Sequence, residues 1–290
     1  MELESIFMAI DIQTLKSLFP TLSNLSPLSN GGQKWVFTAT HPNHGSIVLK
    51  LIQPSQDIET TRREILAVQQ VQSPRVPSIL AQGSVNTPLG DVVWIQEQRI
   101  LGLTVRQILQ SSSMNVREVI RLGLHILEAL VRAEEVQIVH RDVKPENIIQ
   151  DNQRNYWLID FGIARHLQLE SLTATASPWG KLTPGYAPPE QFRNLKSNID
   201  ARADLFALGI TLYECITGVN PFRTPPPANA LDLLRKVETL PLAPLRLNLS
   251  SGSSFSDLID TMTQKRRDHR PSSVKEAYTW IKEICIQENI

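Results

Sequence analysis

Cysteine is scarce in this chain, and that scarcity excludes one class of protein. The 290 residues include two cysteines, Cys215 and Cys285. Two are too few for the disulfide framework of a small secreted domain. No group of cysteines and histidines has the spacing of a zinc site either. The composition therefore indicates a protein of a reducing compartment.

A long apolar run and an excess of charge of one sign are also missing. The most apolar stretch, LFALGITLY, lies between Asp204 and Glu214 and is shorter than the roughly 18 residues that identify a membrane span. Basic and acidic residues number 29 each, so the composition offers no argument for an anionic membrane as partner, and we expect no nucleic-acid partner. The opening MELESIFMAID is acidic where a secretory signal would be basic. We therefore expect a cytoplasmic protein without a membrane span.

The hydrophobic pattern divides the chain into a sheet-rich part and a helical part. Residues 28–52 alternate around the turn-like HPNHG, which predicts a hairpin, and a second hairpin is predicted around NTPLGD. Between them, residues 58–72 have helical spacing, with Glu64 and Val68 on one face. After Gly102 the apolar residues keep helical spacing.

This pattern predicts a fold of the α+β class in three segments. Residues 1–27 form an N-terminal extension in this interpretation. A small lobe over 28–98 contains antiparallel strands and one helix, and a larger, mainly helical lobe covers 103–286. No internal repeat is present.

One charged segment, His140-Arg141-Asp142-Val143-Lys144-Pro145-Glu146-Asn147, is the strongest functional signal in the chain. Asp160-Phe161-Gly162 begins thirteen residues after Asn147, and Tyr186-Ala187-Pro188-Pro189-Glu190 comes later. A solvated loop or an ordinary turn would explain any one of these elements alone. In this order they match the catalytic-loop and metal-loop signatures of phosphoryl transfer.

From about Leu28 to Trp280 the chain resembles the eukaryotic-like serine/threonine protein kinases of bacteria. Lys144, two residues after the aspartate of the charged segment, matches the Ser/Thr branch of the family. The stretch DLFALGITLYECITGVNPF resembles the family's central helix, in which Asp204 would brace the catalytic loop. Arg270 matches the late arginine that pairs with Glu190. The resemblance implies a bilobal protein-kinase-like domain over 28–286 that transfers the γ-phosphoryl group of ATP to Ser or Thr hydroxyls.

The resemblance also implies the roles of the reacting groups. Asp142 would be the catalytic base that accepts the proton of the substrate hydroxyl, and Lys144 would neutralise charge on the transferring phosphate. Asn147 and Asp160 would hold Mg²⁺ or Mn²⁺, because oxygen ligands suit these hard cations. Thr183 matches the family threonine that hydrogen-bonds the catalytic aspartate and lysine.

The nucleotide-covering loop departs from the family pattern G-x-G-x-x-G-x-V. The aligned residues, preceded by Leu28, are Ser29-Asn30-Gly31-Gly32-Gln33-Lys34-Trp35-Val36, so only the middle glycine is kept. We expect all of these residues at the nucleotide. The side chains of Ser29 and Lys34 should make close approach of the backbone to phosphates costlier.

Lys50 lies where the family's strand lysine contacts the α- and β-phosphates, nineteen residues after Gly31 and fourteen before Glu64. Glu64 is the expected ion-pair partner of Lys50. Glu59 is the rival, but it falls in the first turn of the predicted helix, where the dipole alone favours a carboxylate. Glu97 is expected to begin the hinge, the segment Glu97-Gln98-Arg99 between the two lobes. The alignment of this segment with the family allows a shift of one residue.

Three functions remain open at this point. A protein serine/threonine kinase with ATP and protein substrates as partners fits the complete set of charged positions. A pseudokinase scaffold fits the degenerate glycine loop. A small-molecule kinase fits the general fold, but not the Pro-Pro-Glu segment and Arg270, which in protein kinases shape a platform for protein substrates.

The stretch after Asp160 suggests a switch. Arg141 precedes the catalytic aspartate, and kinases with arginine there often use it to bind a phosphate on the activation loop. No acidic residue between Glu170 and Glu190 could mimic that phosphate. The candidate sites of autophosphorylation are Ser171, Thr173, Thr175 and Ser177, the two threonines first. The alternative is that these hydroxyls belong to ordinary loop residues.

Overall fold

The computed structural model describes residues 12–31, 34–52, 58–87, 90–111, 113–161, 183–193 and 199–290, without the side chains of residues 29–31, 58–60 and 64. The chain divides into two structural units. The first takes the described residues up to Gln70 and those from Pro77 to Ile100. The second takes Val71–Val76 and the described residues from Leu101 onward.

The first unit is built on an antiparallel sheet. Its described helices are α1 (Ile12–Leu18) and α2 (Ile58–Gln69). Its strands are β1 (Ser23–Gly31), β2 (Lys34–His41), β3 (Gly45–Ile52), β4 (Ile79–Thr87) and β5 (Gly90–Gln98). The five strands are ordered β1-β2-β3-β5-β4, and the two predicted hairpins, β2–β3 and β4–β5, are confirmed.

The β2–β3 hairpin decides which side chains face the core of the first unit. Its pairing runs without a shift from Lys34 opposite Ile52 to His41 opposite Gly45. Gly45 has φ +65°, a conformation that glycine adopts without steric cost. Because side chains alternate along a strand, one face collects an apolar cluster and the other stays available for polar groups. The cluster includes Trp35, Phe37, Ala39, Ile47, Leu49 and Leu51.

Residues 12–27 take part in the same core. Leu15 in α1 is fully buried, and Phe19, Leu22 and Leu25 join the cluster that β2 and β3 supply. The predicted boundary at residue 28 falls inside β1, which begins at Ser23. The first unit has a second apolar cluster, in which Ile65 of α2 packs against residues of β3 and β5.

The second unit is mainly helical, as predicted, with a small three-stranded sheet, β6-β7-β8. The strands are β6 (Gly102–Thr104), β7 (Ile148–Asp151) and β8 (Tyr156–Leu158). The described helices are α3 (Val105–Ser111), α4 (Val116–Glu135), α5 (Pro189–Phe192), α6 (Arg202–Thr217), α7 (Ala230–Thr239), α8 (Ser254–Met262) and α9 (Val274–Glu288). The predicted α+β fold class is confirmed.

Helix α6 forms the centre of the second unit. Thirteen of its sixteen residues are buried, which agrees with its apolar character on all sides. Gly209 lets the C-terminal end of α8 approach closely, because a Cβ there would lie 3.2 Å from Cβ of Met262 and 2.6 Å from the methyl carbon of Thr263, the residue that follows the helix. The helix ends at Gly218, whose φ of +77° is typical of a glycine C-cap.

The small sheet and α4 flank the segment that carries the charged motif. Helix α4 is capped by Asn115, whose side chain accepts a hydrogen bond from the Glu118 N–H at 2.9 Å. The charged motif, residues 140–147, follows α4. It closes with a single 3₁₀ turn (Pro145–Asn147), and β7 begins at the next residue. The motif is thus held between a long buried helix and a sheet strand.

Candidate active site

Asp204 fixes the backbone of the charged motif. The N–H of His140 donates to its Oδ2 and the N–H of Arg141 to its Oδ1, each at 2.7 Å. Asp204 is 1% exposed, and burial raises its pKa to about 7. Arg141 has φ +63°, an uncommon conformation for a residue with a side chain. The two bonds to a buried helix hold this strained turn, which aims the next residue, Asp142.

Three side chains orient the carboxylate of Asp142. Thr183 Oγ1 donates to Oδ1 at 2.7 Å, while Lys144 Nζ lies 2.9 Å and Asn147 Nδ2 3.0 Å from Oδ2. Lys144 Nζ also donates to Thr183 Oγ1 at 2.9 Å. The residues assigned from the catalytic loop are therefore brought together with the predicted threonine. A carboxylate fixed in this way is pre-organised to accept a proton.

The β7–β8 hairpin brings Asn147 and Asp160 to the same end of the small sheet. Ile148 pairs with Leu158, and the N–H of Ile159 donates to the carbonyl of Asn147 at 2.9 Å. Asp160, the next residue, has φ +66°. Both Nδ2 hydrogen bonds of Asn147 go to Asp142, one to its carbonyl oxygen at 2.9 Å and one to its carboxylate.

This donor set fits a hard divalent cation. The amide group of Asn147 is turned so that its nitrogen faces Asp142, which leaves its carbonyl oxygen available as a ligand. Together with the Asp160 carboxylate it could coordinate Mg²⁺, which commonly takes one or two protein ligands beside phosphates and water. Within the described residues no group of three or more His, Cys, Asp or Glu forms a separate metal site.

Lys50 is held within the first unit by a carboxylate from the neighbouring strand. Its register partner on β5 is Ile95, and Glu97 stands opposite Val48, so Lys50 and Glu97 are diagonal neighbours on one face. Their side chains form an ion pair and are 9% and 12% exposed. The hinge that is expected to begin at Glu97 stays a prediction; Glu97 itself lies in β5, one residue before the strand ends. The structure does not describe the side chains of Glu64 and Glu59.

The predicted nucleotide loop is only partly described. Strand β1 ends at Gly31 and β2 begins at Lys34, so Gly32 and Gln33 lie outside the described residues. Val36 pairs with Lys50 and shares its face. Trp35 instead packs in the core cluster on the opposite face. Leu28 is exposed, and the side chains of the three residues after it are not described.

A second buried ion pair supports the Pro-Pro-Glu segment, as expected. Arg270 Nη1 lies 2.6 Å from Glu190 Oε1, and its Nη2 lies 3.1 Å from Oε2. Such a two-point contact is the strongest form of the arginine–carboxylate interaction. Gly185, just before this segment, has φ +86° and lies so close to Arg223 that a Cβ would meet its side chain at 2.8 Å.

One polar cluster, in which Arg106 contacts Glu146, Tyr186 and Glu214, was not predicted from the sequence. Arg106 is separated from its three partners by 40, 80 and 108 positions. No local pattern joins residues so far apart, so no sequence signal could have found this cluster. The four predicted phosphorylation sites, Ser171, Thr173, Thr175 and Ser177, lie outside the described residues.

Comparison with known proteins identifies the family. The chain belongs to the protein kinase domain family, whose sequence profile matches residues 23–284. It is 29% identical to a probable serine/threonine-protein kinase of Clostridium perfringens, over 79% of this chain and 32% of that protein. It is 30% identical to the serine/threonine-protein kinase PrkC of Bacillus subtilis, over 78% of this chain and 33% of that protein. The predicted family is confirmed.

A third relative extends the comparison. The serine/threonine-protein kinase PknB of Mycobacterium tuberculosis is 34% identical over 56% of this chain and 26% of its own length. The chain thus spans about a third or less of the relatives that it matches. Members of the protein kinase family use ATP and a divalent metal ion. Across the described helices, none is both long enough and apolar enough to cross a membrane.

Proposed function

We propose that this chain is an ATP-dependent protein serine/threonine kinase. The observation that carries the proposal is the arrangement around Asp142, where Lys144, Asn147 and Thr183 meet one carboxylate. This arrangement suits phosphoryl transfer, in which the protein contributes positioning and electrostatic stabilisation rather than covalent chemistry. The similarity to bacterial serine/threonine kinases supports the same reaction and favours hydroxyl groups of Ser and Thr as acceptors.

In this proposal the residues around the Asp142 carboxylate have separate roles in the transfer. The substrate hydroxyl oxygen bonds to the γ-phosphorus of ATP, the bond from that phosphorus to the β,γ-bridging oxygen breaks, and the hydroxyl proton passes to Asp142. Lys144 lies 2.9 Å from the Asp142 carboxylate, where its charge can also offset that of the transferring phosphoryl group. The hydroxyl of Thr183 bonds to both the aspartate and the lysine and so fixes their relative positions.

Asn147 and Asp160 would hold the metal ion, and Mg²⁺ or Mn²⁺ suits their oxygen atoms. When bound, the ion would neutralise phosphate charge. Lys50 would contact the α- and β-phosphates, and its ion pair with Glu97 fixes the ammonium group beforehand. The other loop residues from Ser29 to Val36, without the core residue Trp35, and Glu64 as a second expected partner of Lys50 complete the elements of the first unit that we propose bind the nucleotide.

We also propose a cytoplasmic location and control by phosphorylation. Cys215 and Cys285 are both free thiols and both buried, as suits a reducing compartment. Arg141 is the proposed receptor for a phosphate on the segment that contains Thr173 and Thr175. Peptide mass spectrometry after incubation with ATP tests the four sites. Unmodified sites in an active protein, together with activity that is indifferent to Arg141→Ala, would contradict the switch.

Incubation with labelled ATP and a generic basic protein tests the function itself. We expect label on Ser and Thr, abolished by Asp142→Asn and by Asp160→Ala with the fold intact. Asp260→Asn, which changes an exposed aspartate of α8, is the matched control and should leave transfer unchanged. Nucleotide binding without any transfer would favour a pseudokinase, and ATP consumption with label only on small molecules would favour a small-molecule kinase.

A further inference from the structure

Arg106, at the start of α3, joins three separate segments of the second unit. Its Nε donates to Glu146 Oε1 at 2.8 Å, its Nη1 to Glu214 Oε1 at 2.8 Å and its Nη2 to the Tyr186 hydroxyl at 2.5 Å. The Tyr186 hydroxyl in turn donates to the other oxygen of Glu214. One guanidinium therefore connects the catalytic loop, the segment before Pro188 and the central helix α6.

Burial makes this cluster rigid. Tyr186 is 2% and Glu214 4% exposed, so the Glu214 carboxylate requires both of its donors. Burial, with the charge of Glu214 beside it, raises the pKa of the Tyr186 hydroxyl well above its ordinary value, and the hydroxyl stays a donor. With Nη1 and Nη2 committed to these buried partners, the Nε of Arg106 points at Glu146 in a fixed direction.

Glu146 is the middle residue of the 3₁₀ turn Pro145–Asn147. Within the backbone, the N–H of Asn147 bonds to the carbonyl of Lys144 at 2.9 Å. A single 3₁₀ turn has poor hydrogen-bond geometry and little stability of its own. The side-chain anchor from Glu146 to Arg106 therefore holds the turn from one side, in addition to the hydrogen bonds that Asn147 makes with Ile159 and Asp142.

We propose that Arg106 is a positioning residue for the metal site. It acts through Glu146 on the turn that carries Asn147, and so raises the affinity of the site for the divalent ion. The inference rests on the proposed function, because Asn147 is a ligand only if the chain binds a metal–nucleotide complex. The inference gives α3 a role in metal binding that no sequence motif in this chain predicts.

The test measures metal binding directly. Mn²⁺ is titrated by electron paramagnetic resonance into the full chain saturated with a non-hydrolysable ATP analogue. We expect Arg106→Gln to raise the Kd for Mn²⁺ by about tenfold, the lower end of what loss of a supporting contact costs a metal site. Arg106→Lys, with a compact charge in place of a planar fork, should give a smaller rise. Arg132→Gln in α4 removes an exposed arginine and should leave the Kd unchanged.

The outcomes separate this inference from the proposed function. Folded Arg106→Gln protein with the wild-type Kd for Mn²⁺ would overturn the inference, even if the wild type transfers phosphate. If Arg106→Gln does not fold, an unchanged Kd in folded Arg106→Lys protein would overturn it equally. Arg106-dependent Mn²⁺ binding in a protein that transfers no phosphate would support the inference and contradict the proposed function.

Discussion

The buried pair of Arg270 and Glu190 allows a quantitative prediction of stability. All five N–H groups of the Arg270 guanidinium are used, two on the Glu190 carboxylate and three on backbone carbonyls. The arginine side chain is 0% and the glutamate side chain 10% exposed. The ring of Phe206 also lies under the guanidinium, with its centroid 4.9 Å away.

Replacing Arg270 by Met keeps the apolar volume but leaves the Glu190 carboxylate buried without its cation. Breaking a buried pair in this way costs about 3–5 kcal/mol, a large share of the roughly 5–15 kcal/mol that stabilises a folded protein. Arg270→Lys retains the charge but has at most three donors. We expect it to lose about 3 kcal/mol, since at least two hydrogen bonds are lost and each hydrogen bond to a charged group contributes about 1.5–3 kcal/mol.

Urea denaturation followed by far-UV circular dichroism measures these losses, because the helices dominate the signal. The neighbouring Arg266→Met removes an exposed arginine whose partner is Asp268 and should leave the unfolding midpoint unchanged. Adding Glu190→Gln to Arg270→Met should recover part of the loss, since no buried charge then remains. Strictly additive effects of the two substitutions would refute the reasoning.

Three further predictions concern activity and pH. Thr183→Val removes both hydrogen bonds of the hydroxyl and should lower kcat roughly 10- to 100-fold in a steady-state kinase assay, with KM for ATP little changed. Replacing Ser29 and Lys34 by glycine should lower the KM for ATP without a large change in kcat; a large rise in kcat alone would contradict this. Burial lowers the pKa of His125 to about 4, so its contribution to stability is complete above pH 6.5 and is lost as pH falls toward 4. His125→Gln should flatten that part of the stability curve in denaturation experiments run across this range.

The strands that surround a tight turn were predictable from the sequence, whereas β1 was not. The alternation around HPNHG reports the β2–β3 hairpin because turn and core face are both local features. Strand β1 contains Pro27 and several Ser and Asn residues, which are typical of a loop. It lies at the sheet edge with register shifts on both sides of its middle, where proline and polar residues are tolerated. Its buried Leu25 packs only because tertiary contacts override local preference.

In the candidate site too, features set by local sequence were predictable and features set by tertiary contacts were not. Asp142, Lys144 and Asn147 lie within one short motif, so their order along the chain was enough to predict that they act together. The ion pair of Lys50 with Glu97 depends on the register of β3 against β5. These strands are separated by a helix and another strand, and no turn between them fixes that register.

The attachment of the catalytic loop to Asp204 ties the site to the cooperative unfolding of the second unit. Local openings in proteins involve segments with few buried contacts, while buried central helices open only with the whole unit. Because the His140 and Arg141 amides are bound to a buried carboxylate on the most buried of the second unit's described helices, we expect them to exchange slowly with solvent deuterium. The catalytic loop, although irregular in conformation, is thus expected to unfold on heating together with the core of the unit rather than before it.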